Sequence, residues 1–122
     1  MQRLLLFLTL IFSISACKDF DSTKIIAPTD FQIEAVSMSL STNVHPTNVA
    51  AQKVEDDKQY TLVGATLRHR GKEMVGIWLF DENDSSSIKS INETAQAYSP
   101  FPMQSKLQVT NEARNLSAFL LR

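Results

Sequence analysis

Two neighbouring runs of residues constrain this chain more than any other feature. Tyr60 to Arg68 (YTLVGATLR) and Met74 to Phe80 (MVGIWLF) are both rich in β-branched, aromatic and aliphatic side chains. Between them lies His69-Arg70-Gly71-Lys72, in which Gly71 can take the left-handed backbone that a tight hairpin loop needs. The pair predicts an antiparallel β-hairpin. Val75, Ile77 and Leu79 point to one face of its second strand, and Met74, Trp78 and Phe80 to the other. Apolar residues on both faces predict a central strand that is covered on both sides.

Shorter elements surround this hairpin. Asp81 to Asp84 reads as a turn, and Ser86 to Ile91 as a third strand. Asn92 is placed to cap a short helix through Tyr98, which Pro100 and Pro102 then stop. Leu107 to Val109 reads as a brief strand. Thr110 or Asn111 should cap a final helix, in which Ala113, Leu116, Phe119 and Leu120 recur three and four apart. Upstream, Phe31 to Ser41 carries two patterns. Thr29 and Gln32 have the spacing of a capping box, whereas Val36, Met38 and Leu40 alternate with serines as a half-buried strand would. A helix in the first half and a strand in the second is the expectation. Asn43 to Asn48 reads as a loop, and Val49 to Asp57 as a short helix capped by Thr47 or Asn48. The class that emerges is α+β: a small antiparallel sheet around a 60–68/74–80 hairpin, with short helices packed on one face.

The amino-terminal residues are of a different kind. Met1 to Arg3 is a short basic start, and Leu4 to Ile14 is apolar apart from Thr9 and Ser13. As a helix, that stretch covers roughly half of a hydrocarbon core about 30 Å thick, too little to span it. It has the length of a signal-peptide apolar region. Ile14-Ser15-Ala16-Cys17 follows, and Cys17 is the only cysteine in the chain. This arrangement resembles the lipobox of bacterial lipoproteins: an aliphatic residue, two small residues that fit a narrow peptidase pocket, then cysteine. The resemblance covers residues 1–17. It implies that residues 1–16 are cut away and that the thiol of Cys17 carries lipid. Residues 17–30 then form a lipidated tether, whose apolar pair Ile25-Ile26 is placed to dock on a single domain of residues 31–122. Two or more acyl chains, as this class carries, hold a protein stably on a membrane. Lys18 follows the cysteine, where the best-known inner-membrane retention signal has aspartate, so the resemblance implies the periplasmic leaflet of the outer membrane.

With Cys17 lipidated, no thiol remains for a disulfide, thiol catalysis or a cysteine metal site. The remaining ~100 residues are enough to bury a core without such staples. The chain has 12 basic and 13 acidic residues, and cleavage would also remove Arg3. So weak a balance argues against nucleic acid, which needs a basic face, and gives no overall drive towards anionic lipid.

Candidate chemistry is sparse. His45 and His69 have no partner at a recognisable spacing, and both read as surface histidines. Arg68, His69, Arg70 and Lys72 make a small basic loop, suited either to an anion or headgroup contact or to a solvated hairpin tip with Arg68 paired to Glu73. Asp81, Asn83 and Ser85 alternate as calcium ligands do, but Ser86 and Asn92 stand where such a loop needs glycine and glutamate. That segment reads as a plain turn. Tyr98 and Phe101, held by Pro100 and Pro102, suit either a recognition surface or the closing of a core. Phe101 is expected in the core, with Tyr98 partly exposed beside it.

No nucleophile, metal or cofactor set emerges. The expected role is that of a non-enzymatic accessory or binding lipoprotein. Its partners would be the membrane, through the lipid on Cys17, and another envelope protein or polymer, with Tyr98, Phe101, Arg68, Arg70 and Lys72 as possible contacts. The alternative is an inhibitor, exclusion or immunity lipoprotein that blocks a foreign enzyme, phage or plasmid machinery. An envelope enzyme comes third.

Overall fold

The computed structural model describes residues 20–122. Cys17 and the signal-like residues lie outside them. A 3-10 turn (Ser22–Lys24) leads to helix α1 (Asp30–Ser39). Four strands follow: β1 (His45–Lys53), β2 (Tyr60–His69), β3 (Lys72–Asp81) and β4 (Asp84–Ser90). Helices α2 (Glu93–Tyr98) and α3 (Thr110–Leu120) complete the chain. The strands form one antiparallel sheet in the order β1-β2-β3-β4. The class is α+β, as the patterning implies.

The hairpin is the centre of the sheet. Tyr60 pairs with Asp81 at one end and His69 with Lys72 at the other. Arg70 and Gly71 alone make the turn, with φ of 53° and 78°. Two left-handed residues give the turn twist that matches the twist of the strands. Gly71 takes this conformation freely, whereas Arg70 adopts it at a cost of about 1 kcal/mol. Both faces of β3 are covered, as its composition requires. On one face Trp78 and Phe80 pack with Val63, Ala65 and Leu67 of β2, Val36 of α1 and Ala95 of α2. On the other, Val75, Ile77 and Leu79 pack with Leu62 of β2 and with Leu116 and Leu120 of α3. The helices are therefore divided between the two faces, not gathered on one. A central strand that is apolar on both sides cannot leave either face to water.

The ends of the sheet are closed by side chains. Beyond the end of β4, Asn92 bridges to the open edge of β3. Its Oδ1 accepts from the N–H groups of Ile77 (3.2 Å) and Ala95 (3.0 Å), and its Nδ2 donates to the carbonyl of Val75 (2.9 Å). The expected cap of α2 thus also satisfies the strand beside it. Trp78 is fully buried and its Nε1–H donates to Ser99 Oγ at 3.0 Å. Phe101 is half-buried and packs against the first core cluster, as does Tyr98.

Several local expectations are corrected. Residues 49–57 do not form a helix: Val49 to Lys53 belong to β1, which begins at His45 inside the expected loop. Residues 36–41 hold no strand. Helix α1 runs through Ser39 from its Thr29/Gln32 capping box, in which Thr29 Oγ1 accepts at 3.1 Å and Gln32 Oε1 at 2.9 Å. Residues 107–109 are irregular. It is Met103 that bridges to Ser90, parallel, at the outer edge of β4. Helix α3 has Val109 at its N-cap, with no side-chain cap bond from Thr110 or Asn111.

The segment before α1 is docked. The Phe20 ring meets Phe119 edge-on at 5.5 Å. Asp21 exchanges hydrogen bonds with Asn115, at 2.6 Å and 3.1 Å. Ile26 pairs with Ala51 at the outer edge of β1, the docking expected of the Ile25-Ile26 pair.

Candidate functional site

The residues singled out in the sequence fall in two places. Arg68, Arg70 and Lys72 sit at the β2–β3 turn. Arg68 pairs across the hairpin with Glu73 at 2.9 Å, on the surface. Arg70 and Lys72 are exposed, and neither lies within ion-pair distance of a described carboxylate. Tyr98 comes to the same end of the sheet: its ring is 5.5 Å from that of His69, and its carbonyl accepts from the Ser41 N–H at 2.9 Å. His69 Nδ1 lies 3.2 Å from the Asn43 carbonyl. Phe101 is set apart, its carbonyl taking the Ser90 hydroxyl at 2.7 Å. His45 is exposed at the start of β1. Asp81, Asn83 and Ser85 form no ligand ring. Asp81 Oδ1 accepts from the Asn83 N–H at 2.9 Å, as a turn requires.

A further concavity lies elsewhere, and none of its residues stood out as a site in the sequence. A polar cleft of about 550 Å³ lies between the Asp21–Lys24 segment, the chain leaving β1, and the first turns of α3. Its floor is fixed by hydrogen bonds. The Glu112 carboxylate, 8 % exposed, accepts from the Glu55 N–H at 3.0 Å. Asn115 Nδ2 donates to Gln52 Oε1 at 2.8 Å as well as to Asp21. Lys24 and Glu55 form an ion pair across the mouth. That pairing raises the pKa of Lys24 and lowers that of Glu55, and the hydroxyl and N–H of Thr23 lower that of Asp21. Asp56 and Asn111 line the cleft and are exposed.

No protein-family model, curated protein or solved structure matches this chain. The chemistry of the cleft thus rests on its own residues. Among the described residues, no group of three or more His, Cys, Asp or Glu side chains is placed to hold a metal ion. Asn115, Glu112 and Lys24 are occupied by bonds to neighbouring segments. Such side chains hold a shape, and the exposed Asp56 and Asn111 offer hydrogen-bond acceptors and donors at its rim. The one signal for this site in the sequence was a polar pair, Glu112 and Asn115, three apart and adjoining the apolar stripe of α3.

Proposed function

We propose that this chain is a lipid-anchored protein of the bacterial envelope whose domain is a non-enzymatic binding module. The observation that carries the reading is the lipobox-like Ile14-Ser15-Ala16-Cys17 with its solitary cysteine. A polar cleft whose floor side chains are hydrogen-bonded to neighbouring segments supports the binding role. Its volume lies in the range of recognition pockets, about 300–1,000 Å³, and its floor residues are spent on mutual hydrogen bonds rather than aimed at a reacting group. The partner would be an envelope protein or polymer that offers amide, hydroxyl or cationic groups to Asp56 and Asn111.

Two measurements test this. Metabolic labelling with a fatty-acid analogue should mark the wild-type chain and not Cys17→Ser; equal labelling of both removes the anchor. Cross-linking in whole cells should capture a partner with the wild type and lose it with Asp56→Arg plus Asn111→Arg, at an unchanged melting temperature. Capture that is indifferent to both changes refutes the cleft as the binding site. The identity of the captured partner, resident or foreign, separates an accessory role from that of an inhibitor or immunity factor.

A further inference from the structure

Helix α3 gives the domain a direction. Its first turn lies by the far end of β1, where Glu112 takes the Glu55 N–H. Its last turn lies beside Thr66, whose hydroxyl donates to the Leu120 carbonyl at 3.4 Å. The helix therefore runs along β2 towards the β2–β3 turn. The docked amino-terminal segment runs the opposite way. Lys24 pairs with Glu55 at the far end, Asp21 with Asn115 midway, and Phe20 with Phe119 near the helix C-terminus. Followed backwards, the chain heads for the end of the domain that carries the turn. Cys17 is three Cα steps before Phe20, and three steps of even fully extended chain reach at most about 11 Å. Whatever path those residues take, Cys17 stays within that radius of the Phe20 Cα.

This end of the domain differs from the other. It carries the exposed cations Arg70 and Lys72, which pair with no carboxylate among the described residues, and the Arg122 guanidinium 3.8 Å from the centre of the Phe119 ring. Leu121 is 60 % exposed there. Met38, 84 % exposed, is on the last turn of α1, which the Ser41–Tyr98 and Tyr98–His69 contacts hold beside the same end. The opposite end gathers Glu55, Asp56, Asp57, Glu82 and Asp84 against three lysines, of which Lys24 is paired with Glu55 and Lys53 with Glu82, while Lys58 is exposed beside them. The near-zero net charge thus conceals a separation along the domain. These acids stand at the other end of ten-residue strands, about 30 Å from the turn and well beyond the ~8 Å over which surface charges act at physiological salt; Glu73, at the turn end, is paired with Arg68.

We propose that the turn end is a bilayer-contact surface. Arg70 and Lys72 meet phosphates of an anionic phospholipid layer, Leu121 and Met38 enter the headgroup region, and the polar cleft faces away from the membrane. The proposal rests on lipidation of Cys17. A short leash, two exposed cations and two exposed apolar side chains then act at one place, and each basic residue near an anionic surface favours the contact about fivefold.

The test uses the mature lipidated protein in vesicles of phosphatidylethanolamine and phosphatidylglycerol that contain a headgroup quencher. A fluorescent thiol label is placed at Thr42→Cys, exposed at the turn end, or at Ser85→Cys, exposed at the far end. Quenching should be several-fold greater at position 42. Arg70→Glu with Lys72→Glu should lower the ratio of docked to undocked protein at least about 25-fold, and bring the two labels together. Vesicles of phosphatidylcholine alone should give an intermediate result. Equal quenching at both positions, or no effect of charge reversal, overturns the orientation and leaves the anchor standing. Uptake of the label by the wild-type chain, whose only thiol would be a free Cys17, overturns the anchor and the orientation with it.

Discussion

Gly76 and Trp78 occupy the same face of β3, and the indole lies over the glycine. A Cβ on Gly76 would stand 2.7 Å from Trp78 Cη2 and 3.2 Å from both Cζ2 and Cζ3. The ring cannot retreat, because it is fully buried and tied to Ser99 through Nε1. Gly76→Ala therefore overpacks the core, at about 1–3 kcal/mol. Against this stands the gain from restricting the unfolded chain, about 0.4–1 kcal/mol where the native backbone suits alanine. Gly76 is not among the residues with positive φ, so that gain applies. The net expectation is a loss of about 1–2 kcal/mol, or a melting point lower by roughly 4–16 °C for a domain of this size. In a Trp78→Leu background the clash is gone, and the same alanine should be neutral or slightly stabilising. The coupling across the cycle should thus be about 1–3 kcal/mol. Urea unfolding followed by far-UV circular dichroism measures all four proteins on one scale, and the single tryptophan gives an independent probe where it is retained. An equal cost of Gly76→Ala in both backgrounds refutes the indole-on-glycine packing.

Asn92→Ala should cost about 2–4 kcal/mol, because it removes a helix cap and strands the Ile77 N–H and Val75 carbonyl. Asn92→Asp keeps the oxygen that accepts from both N–H groups but faces the Val75 carbonyl with a second oxygen, so chemical denaturation should rank it between the wild type and the alanine variant. Glu82 accepts from the Thr61 hydroxyl and from Lys53, which hold its pKa below the ordinary 4.5. Its contribution is complete above that ordinary value and is lost as pH falls through the lower folded value. Melting temperatures measured between about pH 6 and pH 3 should fall less steeply for Glu82→Gln than for the wild type, and parallel curves would contradict the assignment.

The elements that could be read from the sequence are those whose side chains meet a strong one-sided or two-sided apolar environment. The hairpin, α2 with its Asn92 cap and the stripe of α3 belong here. Strand β1 was hidden because Ala50, Ala51 and Gln52 are all buried in succession, the two small alanines in the two opposite core clusters and Gln52 bonded to Asn115. Alanines in a row show no alternation and favour helix by propensity, and pairing with β2 overrides them. In α1 the alternation of Val36, Met38 and Leu40 was misleading, since Met38 is exposed while Val36 is fully buried. The capping box at Thr29 was the truer signal. The cleft could not be foreseen, because it joins residues 21–24, 52–56 and 110–115, which only the wrapping of the first segment around β1 brings together. The same wrapping turned a nominal tether into part of the fold.

That wrapping also decides how the domain bears load. Traction on residue 17 is transmitted through Phe20 into a segment that lies antiparallel along α3 and then bonds to the edge of β1. The two Ile26–Ala51 bonds (2.8 and 3.1 Å) and the two Asp21–Asn115 bonds stand across the line of pull. They are strained together, in shear, rather than peeled one at a time from an end. Under the proposed anchoring and binding, a tug between the membrane and a molecule held in the cleft would tighten the segment that forms one wall of that cleft. Failure under force should therefore begin with these four bonds breaking as a group, while the β2–β3 hairpin, which lies off the force path, remains folded.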